Sequence, residues 1–378
     1  MIPSNAVGNP LPVVFRRGGC IRRFVKDDVP LVAHLQRTVW GQDEEFADLD
    51  RCRNYLAEVF LENPCGEAAL PSLVYEEEGG WIAGFLGIVP RRMVMNGRRF
   101  DAAVSSQFIV HPSSCVPVVA LRLAQTFLDG PQDLSIADEA NDVSRKIWEG
   151  LGGTTLLMRS LYWIRPVRPV EFRLSTLQGR SVFGRLAPIF RSFGVIADAL
   201  TTRLPPSPFC VRPTRGQPEP LGSSTVLSHI REFSGAGSLC VDYDDRLFDW
   251  LLERIRHVNA NGRVVAATIR NDQEILGWYV CHLGDARTME LLQLVAKPEA
   301  MDDVLDHLIY QTWREGAVAV AGRMEPKFVA ALSGRRCVFR RGPWMLIKAR
   351  DSNLLQSFVS GSACFSRLDG EWPLQLLC

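Results

Sequence analysis

Residues 141–153 (Asn-Asp-Val-Ser-Arg-Lys-Ile-Trp-Glu-Gly-Leu-Gly-Gly) contain the most informative pattern of the chain. Asn141 ends a short apolar strand, where its side-chain amide can hydrogen-bond whatever lies beside the strand. Ser144 is small enough to let backbone or ligand approach, and Trp148 follows one helical turn later on the same face. Gly152 is a glycine of the kind that ends helices. The stretch is therefore predicted to be a strand end followed by a short helix facing a gap in a sheet.

This spacing resembles the signature N-x-x-[AS]-x-x-x-[aromatic]-x-x-x-G-[aromatic] of the GCN5-related N-acetyltransferases (GNAT proteins). Asn141, Ser144, Trp148 and Gly152 match the signature, and Gly153 departs from it at the last aromatic position. An amphipathic helix with a C-terminal glycine is the plain alternative. The resemblance implies an α+β acyltransferase fold with an acyl-CoA site beside this helix.

A second part of the resemblance lies upstream. In GNAT proteins the fourth strand ends in V-x-P, and a [RQ]-G-x-G-x-[GA] loop opens the third helix, whose backbone N–H groups bind the pyrophosphate of acetyl-CoA. Val110 and Pro112 match, whereas Cys115, Val116 and Val118 replace the basic residue and both glycines. Backbone amides can still point at a phosphate there, but β-branched side chains crowd its approach.

The implied co-substrate is acetyl-CoA or another acyl-CoA, bound between the fourth and fifth strands of the first half. The positions that match the GNAT contacts are Phe108, Ile109, Val110, Cys115, Val116, Pro117, Val118, Val119, Ala120, Asn141, Ser144 and Trp148. Trp148 stands where many relatives have a tyrosine general acid. An indole N–H cannot serve as that acid, so we expect Trp148 to shape the thioester pocket.

Acyl transfer needs a group that deprotonates the amine before it attacks the thioester, and a group that protonates the thiolate. The catalytic candidates are polar residues at the ends of the two strands that border the gap: Gln107, His111, Asp138 and Glu139, with Ser105 and Ser106 beside them. A capping or surface role is the plain alternative for His111. Asp138 and Glu139 can equally cap the helix that begins at Asp142.

The order of elements predicts two similar domains. Residues 20–165 read as a strand, two helices, an antiparallel meander with an Asn96-Gly97 hairpin turn, and then alternating strands and helices. The section 221–350 repeats this order, and Lys297-Pro298-Glu299 occupies the loop position there without a glycine. We predict an α+β fold of two GNAT-like domains, each a mixed, mostly antiparallel sheet flanked by helices. The first domain has the better-preserved acyl-CoA site.

Three further segments complete the predicted organisation: a flexible tail over 1–19, a basic helical segment with a Pro-rich linker over 166–220, and a C-terminal tail over 351–378. Phenylalanines and arginines alternate in 176–203. This segment is predicted to pack between the two domains, because Pro188 interrupts the continuous apolar helix face that membrane binding needs. A membrane contact or the roof of an acyl tunnel is the alternative.

Composition limits the function classes. Lys+Arg total 43 and Asp+Glu 42, a net charge of +1, which disfavours a dedicated nucleic-acid binder. The 10 cysteines are scattered without a C-x-x-C pair, so the sequence predicts free thiols and no metal site. No signal peptide and no run of 18 apolar residues is present, so a cytoplasmic protein with no membrane span is expected.

The sequence therefore predicts an N-acyltransferase that acts on an amine of a small molecule or sugar. A non-catalytic GNAT-fold binding or scaffold protein is the first alternative. A FemAB-like aminoacyl transferase, which would use tRNA as donor, is the second, suggested by the stretch Asp242–Trp250. The oligomeric state and the identity of the acceptor stay open.

Overall fold

The computed structural model describes residues 19–41, 46, 48–65, 70–177, 198, 209, 211, 213–214, 216–257 and 262–376 of the 378-residue chain. For residues 175–177 only the backbone is described. The predicted tail over 1–19 and the segment 176–203 lie almost wholly outside the described residues, so both remain predictions.

The first half contains seven strands and five helices among its described residues. The strands are β1 (Cys20–Arg23), β2 (Leu73–Glu77), β3 (Trp81–Met95), β4 (Arg98–Val110), β5 (Leu134–Ala140), β6 (Thr154–Thr155) and β7 (Leu161–Pro166). The helices are α1 (Val29–Trp40), α2 (Leu49–Phe60), α3 (Val116–Leu128), α4 (Asp142–Gly150) and α5 (Pro169–Leu177). The predicted hairpin joins β3 to β4, and its turn residues Asn96 and Gly97 have positive φ angles of 52° and 77°, as a two-residue hairpin turn requires.

The described part of the second half repeats these element types. Its strands are β8 (Gln217–Pro220), β9 (Leu239–Val241), β10 (Arg263–Asn271), β11 (Glu274–Leu283), β12 (Thr288–Ala296), β13 (Ala319–Arg323), β14 (Val338–Arg341), β15 (Trp344–Ala349) and β16 (Ala363–Cys364). Its helices are α6 (Ser223–Ser234), α7 (Asp245–His257), α8 (Met301–Arg314), α9 (Val329–Ser333) and α10 (Ser352–Ser360).

The strands form two mixed sheets. The first sheet has the order β1-β2-β3-β4-β5-β15-β6, with β9 added beside β3 and β16 beside β9. The second sheet has the order β14-β7-β13-β12-β11-β10-β8. The pairs β4–β5, β12–β13 and β9–β16 are parallel, and the other described pairs are antiparallel. The predicted fold class, two mixed and mostly antiparallel sheets flanked by helices, is confirmed.

The two halves exchange one strand each. β7 belongs to the predicted domain 20–165 but lies between β13 and β14 in the second sheet, with Tyr162 opposite Arg323. β15 belongs to the predicted domain 221–350 but lies between β5 and β6 in the first sheet, with Ile347 opposite Ile136. Each half therefore needs a strand from the other to complete its sheet.

The predicted C-terminal tail requires a correction. Among the described residues of 351–378, α10 packs against β15, and β16 pairs with β9. Phe365, Leu368 and Leu374 are fully buried. We call residues 361–376 the C-terminal segment. They pack inside the molecule because apolar residues alternate there with polar groups that find partners in both halves.

One hydrophobic core extends across both halves. Phe85 of β3, Phe248 of α7 and Phe365 of the C-terminal segment belong to the same buried cluster. A second cluster between β4, α3 and α4 contains Phe127 and Trp148. Within the described residues, no helix has both the length and the apolar character needed to cross a bilayer.

Candidate functional site

The strands β4 and β5 diverge in the middle of the first sheet. Their parallel pairing begins at Ala102 opposite Leu134 and extends to Val104 opposite Ile136. Beyond this point β4 continues to Val110 and β5 to Ala140, with no further pair between them among the described residues. The space between residues 105–110 and residues 137–140 is the strand gap. Backbone groups that face the strand gap from β4 have no ladder partner on β5.

A β-bulge bends β4 at the strand gap. The pairing with β3 shifts register between Phe85 and Gly87, and Gln107 has a positive φ of 53°. A non-glycine residue in this left-handed region stores about 1–3 kcal/mol of strain, so neighbouring contacts must hold it there. One such contact is a hydrogen bond of 3.0 Å from Gln36 Nε2 on α1 to Gln107 Oε1. The predicted residue Gln107 therefore borders the strand gap and is anchored to α1.

The carboxylate of Glu371, from the C-terminal segment, binds the edge of β5. Its Oε1 accepts hydrogen bonds from the backbone N–H groups of Asp138 (2.9 Å) and Glu139 (3.1 Å). In return, Glu371 N donates to Asp138 Oδ1 at 2.6 Å. Burial, and then the nearby charge of Asp138, raise the pKa of the Glu371 carboxyl well above its usual range. Asp138, Glu139 and Glu371 together form the carboxylate cluster.

Asp138 also forms a buried ion pair with Arg323 at the end of β13. Arg323 Nη1 donates to Asp138 Oδ2 at 2.5 Å, and the side chains are 2% and 0% exposed. The two residues occupy equivalent positions: Asp138 lies four residues after Leu134, which begins the β4–β5 pairing, and Arg323 lies four residues after Ala319, which begins the β12–β13 pairing. The ion pair thus joins corresponding points of the two sheets.

Glu139 belongs to a second polar group, which it forms with Tyr162, Arg367 and Glu290. It accepts hydrogen bonds from Tyr162 (3.1 Å) and from Arg367 (3.3 Å), and Arg367 also binds Glu290 at 2.7 Å. Burial is the main cause that raises the pKa of the Glu139 carboxyl. The alternative in which Asp138 and Glu139 cap α4 is wrong, because buried arginines bind both carboxylates and a different residue caps that helix.

A cavity of about 700 Å³ opens beside the strand gap, between the two sheets. Its wall includes Glu139, Tyr162, Glu290 and Arg367, together with the indole of Trp372, which follows Glu371. Such a concave site, with convergent polar groups and aromatic walls, has the properties of a small-molecule site. The mouth also carries Trp344, whose ring lies 4.1 Å from the Arg145 guanidinium.

The loop that opens α3 has few free amides. Val116 N donates to Ser114 O at 2.9 Å, and Val118 N and Val119 N both donate to Cys115 O at 3.0 Å. Pro117 has no N–H. The positions at which a GNAT loop would bind pyrophosphate are therefore bonded internally or lack a donor. The valines at 116 and 118 are each 39% exposed and leave an apolar surface there.

The remaining predicted residues have local roles. His111 Nδ1 accepts from Ser113 N at 3.1 Å, and its ring contacts Trp81 at 4.8 Å, so its observed bonding is that of the capping alternative. Asn141 caps α4, accepting from Val143 N and Ser144 N at 3.0 and 2.9 Å.

Trp148 is 3% exposed and packs in the core between α3 and α4, with its ring 5.8 Å from that of Phe127. Phe108 and Val110 pack at the edge of the same core cluster. Ile109 and Ala120 are buried.

The structure thus brings Gln107, Asp138 and Glu139 to the strand gap and leaves His111 in its local turn. It adds Glu371, which sequence reasoning missed because the segment reads as a tail. Glu371 lies 233 residues from Asp138 in the chain, and no local pattern links positions that far apart. The acidic and aromatic pair Glu371-Trp372 inside an apolar C-terminal run was the one available signal. Among the described residues, no three or more His, Cys, Asp or Glu side chains are arranged so that they could hold a metal ion.

Several solved structures are similar to this chain in fold. The chain is similar over 89% of its length to a GCN5-related N-acetyltransferase from Anabaena variabilis, of which it covers 74%, with a TM-score of 0.58 and 11% identity. It is similar over 91% to a protein of Enterococcus faecalis described as a probable N-acyltransferase, of which it covers 74% (TM-score 0.56, 11% identity). A third, a GCN5-related N-acetyltransferase from Kribbella flavida, is similar over 87% of this chain and 71% of its own (TM-score 0.51, 16% identity).

Sequence identities as low as these establish a shared fold and nothing more. The protein has the GCN5-related N-acetyltransferase fold, as the motif around Asn141 predicted, in two GNAT-like domains. No family model and no curated protein sequence matches the chain.

Proposed function

We propose that the protein is an N-acyltransferase that transfers an acyl group from a CoA thioester to an amine. The observation that carries the proposal is the strand gap in the first sheet, with the carboxylate of Glu371 held at its end by two amides of β5. The gap offers unpaired backbone groups along which a pantetheine arm can bind. The carboxylate offers the base that amine deprotonation needs.

Glu371 is the general base of this proposal. A carboxyl group with its ordinary pKa is too weak a base to accept a proton efficiently near neutral pH, whereas a raised pKa brings it closer to the working range. Burial and the charge of Asp138 raise the pKa of Glu371 in this direction. The two hydrogen bonds from β5 fix the carboxylate, so the proton would move to its second oxygen, Oε2.

The acceptor amine enters from the cavity between the two sheets. Glu139 and Glu290 share the guanidinium of Arg367 on this wall, which also contains Arg340 and Arg341. In this proposal the two carboxylates receive the amine as hydrogen-bond acceptors. Small molecules and amino sugars fit a cavity of about 700 Å³. Trp148 contributes through shape alone, because its indole cannot protonate the departing thiolate.

Calorimetric titration with acetyl-CoA and longer acyl-CoAs tests the donor. A colorimetric assay of released CoA thiol, with an amino sugar, a polyamine and a free amino acid as acceptors, tests turnover. Both use the whole chain, since the exchanged strands make each half incomplete. We expect Glu371→Gln, which can still accept both amide hydrogen bonds, to bind acyl-CoA normally and to lose turnover by about 10²–10⁴-fold. Asp129→Asn, at an exposed position, is the matched control.

The loop at α3 favours a second candidate, a GNAT-fold binding protein without turnover. The amides of Val116, Val118 and Val119 are already bonded within the loop, and a phosphate would have to displace those bonds. No heat of binding with millimolar acyl-CoA, and no thiol release with any acceptor, would support this candidate and reject the acyltransferase. Micromolar binding without thiol release would instead show that the donor site is intact and the right acceptor is missing.

A further inference from the structure

Two cysteines lie opposite each other away from the strand gap. Cys240 of β9 and Cys364 of β16 are direct partners in the parallel register of these strands. Neighbouring strands are about 4.7–4.9 Å apart, which falls within the Cα separation of about 4.4–6.8 Å that disulfides adopt. Both thiols are free and largely buried in this structure. The backbone therefore places the two sulfur atoms where they can be joined without moving either strand far.

Two cationic side chains, Arg159 and Lys327, lie near Cys364. The guanidinium of Arg159 donates to the carbonyls on either side of it, through Nη2 to Ala363 O at 2.6 Å and through Nη1 to Phe365 O at 3.0 Å. The ammonium of Lys327, which is paired with Glu325 at 3.2 Å, also lowers the pKa of the Cys364 thiol. A thiol next to cations is stabilised as the thiolate, the form that reacts.

The two thiols differ in acidity. The neighbouring Cys240 thiol and the charge of Lys327 lower the pKa of Cys364 to about 7, against the opposing effect of burial. The interaction between the two thiols, together with burial, raises the pKa of Cys240. Cys364 is therefore the nucleophile of the pair, and Cys240 remains a protonated thiol beside it.

A small cavity gives access to Cys364. It has a volume of about 210 Å³, and its wall includes Cys364, Lys327, Ser234 and Ser362. A water molecule takes up about 30 Å³ in the liquid, so hydrogen peroxide or another small hydroperoxide fits. Cys52 and Cys281 are fully buried, and neither lines this cavity.

We propose that Cys364 and Cys240 form a peroxide-sensitive thiol–disulfide site. The Cys364 thiolate attacks one oxygen of the peroxide, the O–O bond breaks, and the leaving hydroxide or alkoxide takes up a proton to give water or an alcohol. The product at Cys364 is a sulfenic acid. The Cys240 thiol then attacks that sulfur, the S–O bond breaks, and water leaves as the disulfide forms. The two electrons come from the thiols, and the peroxide is the oxidant.

The site is tested on the whole chain with hydrogen peroxide as the probe. Reduced protein is exposed to a small excess of peroxide, free thiols are alkylated, and disulfide-linked peptides are identified by mass spectrometry without reduction. We expect a Cys240–Cys364 link to form before any change at Cys52 or Cys281, and a thiol reductant to reverse it. Absence of the link, or oxidation of Cys364 no faster than that of Cys281, would overturn the proposal.

Two variants separate the roles of the thiols. Cys240→Ser removes the resolving thiol, so Cys364 should accumulate as a sulfenic acid that a dimedone probe labels. Lys327→Gln should shift the pH dependence of Cys364 alkylation to higher pH. Lys348→Gln, at an ion pair with Asp129, is the control and should change nothing. An unshifted pH profile in Lys327→Gln would refute the proposed activation.

Discussion

Removing one partner of the ion pair between Asp138 and Arg323 should destabilise the whole molecule. The two side chains are 0% and 2% exposed, and of the guanidinium only Nη1 has a partner, since Nε and Nη2 are buried without one among the described residues. Arg323→Met would leave a buried carboxylate with one backbone donor, and Asp138→Asn would leave a buried guanidinium without a carboxylate. Each change is expected to lower the free energy of unfolding by about 3–5 kcal/mol. That is a large share of the about 5–15 kcal/mol by which proteins are stable.

The assay is equilibrium unfolding in urea at pH 7.5, followed by tryptophan fluorescence and by circular dichroism. Asp138→Asn combined with Arg323→Met should be less destabilised than the sum of these two single variants by about 2 kcal/mol or more, because it leaves no unpaired charge. Arg53→Met removes the partner of Asp50 in a pair that is 39% and 84% exposed, and it should cost less than about 1 kcal/mol. If Arg323→Met stayed within 1 kcal/mol of the wild type, or if the two changes were additive, the argument from burial would be refuted.

Four further predictions follow from the described contacts. Burial lowers the pKa of His307 to about 4, so its contribution to stability is complete above its unfolded pKa of about 6.5 and is lost as the pH falls towards 4. Urea unfolding should therefore show about 2 kcal/mol less stability at pH 5 than at pH 7, and His307→Gln should remove that part of the difference. Trp148→Ala should lower stability by about 3–5 kcal/mol and Trp148→Phe by clearly less, as measured by thermal unfolding; equal losses would contradict a packing role. Asn141→Ala should lower the free energy of unfolding by about 1 kcal/mol in the same assay. Asn141→Ser should lower it by much less, since serine also caps helices. The pH–rate profile of amine acylation should rise through the raised pKa of Glu371, and that rise should be missing in Glu371→Gln.

Local signals in the sequence predicted much of the fold. The turn at Asn96-Gly97 and the helix after Asn141 depend on residues close together in the chain, and both are where the sequence indicates. The exchange of β7 and β15 could not be predicted in the same way. Alternating apolar residues identify a strand, but they do not say which of two sheets it joins, because both sheets offer a buried slot of the same shape.

Only the part of the candidate site that β4 and β5 form was predicted from the sequence. Gln107, Asp138 and Glu139 follow directly from the ends of the strands that border the strand gap. Glu371 and Arg367 come from the C-terminal segment, where apolar residues are interrupted by small and polar ones and no long helix or strand forms among the described residues. Such a segment is held by individual hydrogen bonds to distant residues, and a single sequence contains no record of those pairings.

The exchanged strands also bear on how the protein is made. Because β15 ends at Ala349, β5 lacks one of its neighbours until residue 349 has left the ribosome. The first sheet therefore has an unpaired apolar edge at β5 until this much later strand has been synthesised. Contacts between residues so far apart in the chain form slowly, and an unpaired edge invites pairing with a second nascent chain. We expect the newly synthesised protein to depend on chaperones, and a peptide of residues 344–376 supplied in trans to rescue chains truncated before Trp344, because residues 361–376 are also buried against both halves.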